Sequence, residues 1–245
     1  MNFATPVRIA MWSGPRNLST AMMRSFGSRR DVVCMDEPFY GAFLALTGLN
    51  HPLREEILAR HETDPAAVAH DLVAGAGKAP IIYQKQMTHH MVDGVPRDWM
   101  GQVRNAFLIR HPARVLASYA RKMEAVSLEA IGFRQQAELF DQAWALTGEV
   151  PVVIDSDRVL ADPRRALTAL CEGLGIAFDP AMLAWAPGPR LNDGAWAPHW
   201  YDVVNASTGF GAPSGALPAL PDALQSIADA ALPPYERMLA HAGAA

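Results

Sequence analysis

The 245-residue chain is half hydrophobic and 19% charged, a balance that excludes both a disordered tail and a membrane-embedded protein. Its 21 lysines and arginines against 25 aspartates and glutamates leave a net charge of −4. That offers no global basic field for nucleic acid, so any anion site must be local, built from a few arginines and backbone N–H groups.

The first predicted strand is the apolar run Val7–Trp12. It stops at a turn, is too short to span a membrane and carries no signal-peptide cleavage pattern, so a cytoplasmic setting is expected. A helix over Ser19–Ser28 and a strand over Val32–Met35 come next. Pro65–Ala74 reads as a helix because Asp64 stands ready to cap it ahead of a proline at its first position. Strands are predicted over Ala79–Gln84 and Asn105–Ile109, helices over Ala113–Glu124 and Phe133–Thr147, then a strand over Val150–Asp155. Asp162 and Pro163 open a further helix, Pro163–Leu174.

From about residue 185 to 221 the pattern changes to Gly, Pro, Asn, Trp and His with little periodicity, an irregular segment too aromatic for a disordered linker and expected to act as a lid. Helices over Asp222–Leu232 and Pro234–His241 close the chain. Buried Val- and Ile-rich strands, each followed by a helix, imply an α/β fold. The expectation is one domain over 1–245, a three-layer open and mainly parallel sheet of about five strands with helices on both faces, of the P-loop type. Cys34 and Cys171 lie far apart without C-x-x-C spacing, which argues against a disulfide framework or a zinc site.

The loop after the first strand, Gly14-Pro15-Arg16-Asn17-Leu18-Ser19-Thr20, leads into a helix N-terminus, where free N–H groups and the helix dipole favour an anion. It has no lysine, so the magnesium–ATP loop pattern fails at its most diagnostic position. Arg16 could supply the charge instead, with Ser19 and Thr20 donating hydroxyls beside it; the alternative is that these hydroxyls only cap the helix. Arg110 stands at the end of the Asn105–Ile109 strand, and Ser118 follows eight residues later inside the next helix. The two converge only if that helix folds back beside the strand end.

In this pair the sequence resembles the PAPS-dependent sulfotransferases, in which an arginine after a strand and a serine eight positions on grip the 3′-phosphate of 3′-phosphoadenosine 5′-phosphosulfate (PAPS). The match is residue for residue at Arg110 and Ser118, while the loop from Gly14 to Thr20 departs from the family's phosphosulfate loop in having arginine where many members have lysine. The resemblance implies a sulfotransferase-like fold, PAPS as donor, and transfer of a sulfuryl group to a hydroxyl or amine of a small acceptor. It also implies a role for Lys85, which matches the lysine placed near the transferring group, and for Glu37, in a segment similar to the Glu-Pro segment of bacterial-type members. The family's usual base, a histidine two residues after the lysine, is replaced by Met87.

A sulfuryl transfer needs a base for the acceptor proton and cations for the departing charge. Glu37 is the leading base, although Asp36 and Glu37 could equally cap a helix. His89 or His90 could replace the missing histidine, and since adjacent helical residues point about 100° apart, one of them at most is expected to enter the site. No metal-binding motif appears among the histidines, so no metal is expected. Within 185–210 the aromatics suit a nucleotide or acceptor lid, with Arg190 its cation. Expected partners are a small-molecule acceptor, neither nucleic acid nor membrane, and homo-oligomerisation is left open. Two other functions fit less of the sequence: an ATP-dependent small-molecule kinase, and a nucleotide-binding protein without turnover.

Overall fold

The computed structural model describes residues 5–75, 79–121 and 126–243. In chain order the elements are β1 (Val7–Ser13), α1 (Ser19–Gly27), β2 (Val32–Asp36), α2 (Tyr40–Thr47), α3 (Arg54–Arg60), α4 (Pro65–Ala74), β3 (Ile81–Met87), β4 (Arg104–Ile109), α5 (Pro112–Tyr119), α6 (Leu128–Ile131), α7 (Phe133–Thr147), β5 (Val152–Asp155), α8 (Ser156–Ala161), α9 (Pro163–Gly173), α10 (Ala197–Trp200), α11 (Asp202–Asn205) and α12 (Asp222–Leu239). Short 3-10 turns at Thr88–His90, Asp98–Gln102 and Pro180–Leu183 link them. The five strands form one parallel sheet in the order β2-β3-β1-β4-β5.

Alternate residues of β1 serve opposite faces. Ala10 and Trp12 pack with Phe107, Phe140 and α12 on one side, whereas Ile9 and Met11 pack with Phe26, Tyr83 and Leu167 on the other. Both faces are therefore covered, which is why the strands read as nearly continuous apolar runs. The chain crosses from β1 to β2 at one edge, returns to β3, then passes β1 to reach β4. The strand order thus reverses beside β1, and ligands collect at the carboxyl ends of strands at such a reversal.

Local rules account for many boundaries. Asp64 accepts from Ala66 N–H and Asp162 from Arg165 N–H, each ahead of a proline at the helix start. Elsewhere the structure corrects the sequence reading. β3 runs on to Met87, because Gln84, Lys85 and Gln86 are polar yet buried and hide the strand pattern. α5 begins at Pro112 and closes at Tyr119; the Glu124 end of the predicted helix lies outside the described residues. The two predicted C-terminal helices are one, α12, with Pro233 and Pro234 inside it. Buried Ala228, Ala231, Tyr235 and Met238 keep helical spacing straight through the prolines, so packing overrides the local break. The helices α2, α3 and α8 were not expected from periodicity, being seven residues or so each.

Candidate active site

The β1–α1 loop begins at Gly14, where a Cβ would stand 2.8 Å from the carbonyl oxygen of Ile131, so only glycine fits that close approach. Arg16 (φ 57°) and Leu18 (φ 61°) adopt left-handed backbone conformations without being glycine. Such residues each cost about 1–3 kcal/mol and cluster at ligand sites, where turns of this kind gather N–H groups around an anion. No side chain caps α1, whose first helical donor is Met22 N–H to Leu18 C=O. Ser19 and Thr20 are therefore not caps.

Asn17 holds the loop in place. Its amide donates to Leu108 C=O at 2.5 Å, and its oxygen lies 2.6 Å from the Ser156 hydroxyl, itself 2.7 Å from Ile109 C=O. The side chain of Asn17 is thus committed to β4 and α8. Ser156 has no counterpart in the sequence reading, since its role depends on α8 folding back against β4.

Arg110, Ser118 and the loop converge as the motif pair required. Arg110 Nη1 donates to the Arg16 carbonyl at 2.8 Å, and Arg16 Nε donates to Ser118 Oγ at 3.0 Å. Arg110 Nε is buried without a partner. Burial lowers the pKa of both guanidinium groups, and Arg121 adds to the effect at Arg16. Half-desolvated cations side by side, with unspent donors, suit a phosphate-bearing ligand.

The second cluster sits two strands away. Sheet register places Asp36 opposite Lys85. Lys85, 1% exposed, donates to Asp36 Oδ1 at 3.0 Å, Glu37 Oε1 at 2.7 Å and the Tyr201 hydroxyl at 2.5 Å. Burial alone would lower the Lys85 pKa, but Asp36, Glu37 and Tyr201 outweigh it and hold the ammonium well above its ordinary value. Glu37 goes the other way: burial and the neighbouring Asp36 raise its carboxyl above the usual range, against the pull of Lys85. Neither carboxylate caps a helix, since α2 starts at Tyr40 with no side-chain cap. Glu37 is also strained, at φ 43°.

His89 and His90 share a 3-10 turn, and both line the same cavity, correcting the expectation that at most one would. The tight turn and the neighbouring rings decide this: His90 packs against Tyr40 and Phe43, with ring centres 4.6 and 4.8 Å away. Burial pushes His89 down to about 3 and His90 well below its ordinary value, so both are neutral at pH 7. His90 Nε2 lies 3.9 Å from Glu37 Oε2, beyond hydrogen-bond range.

The irregular 185–221 segment forms one wall. It contains the single-turn helices α10 and α11, and Trp200, Tyr201, Val204, Ser207 and Phe210 border the cavity. Tyr201 donates to Asp36 and receives the Trp196 indole N–H at 3.0 Å. Arg190 is spent on its own loop, donating to Gly188 C=O at 3.1 Å, and does not border the cavity. The sequence held no signal for Tyr201, which lies 116 positions from Lys85.

One cavity of about 760 Å³ joins the two clusters. Pro15 through Ala21, Arg110, Ser118 and Arg121 border it over β1 and β4; Glu37, Lys85, His51, His89 and His90 border it over β2 and β3. Strand spacing of about 4.8 Å makes the span from β4 to β2 about 14 Å, enough for a nucleotide phosphate and a small acceptor in line. Among the described residues no group of three or more His, Cys, Asp or Glu could hold a metal ion, and no helix is long and apolar enough to cross a membrane.

Residues 7–242 match the sulfotransferase domain family. Two Arabidopsis thaliana proteins, branched-chain-amino-acid aminotransferase-like proteins 2 and 1, are 34% and 35% identical over 95% and 97% of this chain. The chain spans only 41% and 42% of the length of these curated relatives. A sulfotransferase from Alicyclobacillus acidocaldarius has a TM-score of 0.60 at 12% identity, covering 97% of this chain and 96% of its own. The sulfotransferase domains of the Synechococcus PCC 7002 olefin synthase (TM-score 0.51, 18% identity, 94% and 96% covered) and of the curacin biosynthetic pathway (0.53, 14%, 92% and 97%) share the same fold. With the sequence match running almost end to end and the parallel sheet agreeing, the chain belongs to the sulfotransferase family.

Proposed function

We propose that this protein transfers a sulfuryl group from PAPS to a small-molecule hydroxyl or amine, working as a cytoplasmic enzyme without a metal. The observation that carries the reading is the contact of Arg110 and Ser118 with Arg16 across more than ninety residues of chain. Arg110 and Ser118 would hold the 3′-phosphate. Arg16, Ser19, Thr20 and the N–H groups of the Pro15–Leu18 turn would hold the 5′-phosphosulfate at the uncapped start of α1.

In the transfer the bond from sulfur to the bridging phosphate oxygen breaks as the acceptor oxygen or nitrogen bonds to sulfur. The acceptor proton passes to Glu37, whose raised pKa brings it closer to the operating pH and makes it a better base than an ordinary carboxylate. Negative charge grows on the bridging oxygen, and Arg16 and the loop amides stand where it develops. Lys85 could join them by exchanging its Tyr201 bond, since all three of its N–H groups are otherwise engaged. His89, held neutral, would accept or pass a proton only as a secondary group.

The aminotransferase in the relatives' names is not favoured for this chain. The match covers only 41% and 42% of those proteins, so the activity in their names need not lie in the matched part.

Calorimetry tests the donor reading. 3′-Phosphoadenosine 5′-phosphate should bind at least about tenfold better than ADP, and Arg110→Ala should remove that preference, as loss of a charge-assisted contact of ~1.5–3 kcal/mol requires. Equal binding of the two by the native protein would favour a kinase.

A further inference from the structure

We infer that the acceptor is a predominantly apolar alcohol bearing no acidic group, and that the Glu37 end of the cavity rejects carboxylate-, sulfate- and phosphate-bearing acceptors. This rests on the donor reading above and adds to it the class of the second substrate.

The charge layout of the cavity leads to this. Its described arginines, Arg16, Arg110 and Arg121, all lie at the β1–β4 end. At the β2–β3 end the one described cation is Lys85, and it faces two carboxylates. Two carboxyl groups face the single ammonium of Lys85, so the cluster offers a ligand no excess of positive charge. Its three N–H groups already have acceptors in Asp36, Glu37 and Tyr201. An acidic acceptor would meet Glu37, with Asp36 behind it, and among the described residues no free cation at this end to offset them.

The imidazoles do not supply the missing charge. His51, His89 and His90 border this end, and burial lowers the pKa of each. His51 Nδ1 is 2.9 Å from the Tyr40 hydroxyl, and the His90 ring packs against both Tyr40 and Phe43. Pro52, Met87, Trp200 and Val203 complete the wall, so most of an acceptor's surface would rest on apolar or neutral groups.

The same field separates alcohols from amines. A free amine reaches pH 7 as an ammonium and must lose a proton before it can attack. Neighbouring carboxylates stabilise the ammonium and leave less of the nucleophilic form. An alcohol has no such prior proton to lose, and Glu37 need only take its proton as the bond to sulfur forms.

The test uses the full chain with PAPS and reads sulfated product by mass spectrometry on matched pairs: benzyl alcohol with its para-carboxy derivative, octanol with hydroxyoctanoate, and benzyl alcohol with benzylamine. The uncharged alcohol of each pair should be favoured by about tenfold or more in kcat/KM. Pro52→Arg, which places a cation on the same wall, should narrow the gap for the carboxylate pairs to about threefold or less. Equal or better transfer to the carboxylate members, preference for the amine, or no transfer to any pair by a protein that binds 3′-phosphoadenosine 5′-phosphate would each overturn the inference. Failure to bind that nucleotide would instead sink the donor reading beneath it.

Discussion

Lys85 and Glu37 form a buried ion pair, and their behaviour follows from being buried at adjoining strand tips. Register brings Lys85 opposite Asp36, and the left-handed turn at Glu37 directs a second carboxylate onto the same ammonium. Because burial raises the Glu37 pKa, Glu37 acting as the proposed base would be protonated, and idle, up to a higher pH than a free glutamate. The acid limb of kcat/KM should therefore fall above the ordinary carboxylate value of about 4.3, with activity rising as pH increases through it. Glu37→Gln should remove that limb and cost about 10²–10⁴ in kcat/KM; a variant that keeps both the rate and the limb would transfer the role to another group. Glu37 and Lys85 could be singled out from sequence because each stands near a strand end and the family resemblance implies a role for both. The side-chain commitment of Asn17 could not be, because an asparagine in a glycine- and serine-bearing loop looks the same whether it faces a phosphate or bolts the loop to its neighbours.

At the level of elements, β1, its loop and α1 would form the donor cradle of the proposed reaction, and β4 with α5 would supply the second grip. Pro112 at the start of α5 fixes the direction in which the chain leaves Arg110. Two turns later Ser118 comes back over the strand end to meet Arg16. The C-terminal helix shows the opposite relation between local preference and packing. Pro233 and Pro234 withhold two backbone donors inside α12, yet the helix continues because its buried stripe lies against α5 and α7. Pro233 is exposed, so its ring contributes little packing to set against the lost hydrogen bond. Pro233→Ala should stabilise the fold by about 1–3 kcal/mol in urea unfolding; a loss of stability would mean that the proline shapes a bend the packing needs. Strong caps such as Asp64 and Asp162 were readable because the cap and its proline are neighbours in sequence. The join at Pro233 was not, because the stripe that sustains it depends on partners a hundred residues away.

Across the whole molecule, the irregular segment from 185 to 221 is welded to the sheet at several points. Gly194 N–H donates to Asp36 at 3.0 Å, Tyr201 meets both Asp36 and Lys85, and Arg24 on α1 forms a two-pronged ion pair with Asp193 at 2.5 and 2.8 Å. Both partners of that ion pair are almost fully buried, at 2% and 5% side-chain exposure. Asp193→Ala would leave Arg24 charged and unpaired in the interior, and should lower unfolding stability by about 3–5 kcal/mol. A loss below about 1 kcal/mol would show that Asn205, 3.1 Å from Arg24, suffices as its partner. The sequence by itself determined the alternation of strands and helices through periodicity and capping, and it showed a lysine-free loop after β1 and, by family resemblance, the pair Arg110 and Ser118, because each is written in residues a few positions apart. Only the tertiary structure decided that Tyr201 closes the coordination of Lys85, that burial lowers the pKa of three imidazoles, and that the described arginines and Glu37 border opposite ends of one cavity. Those facts depend on burial and on strand order, and neither is a property of any single stretch of chain.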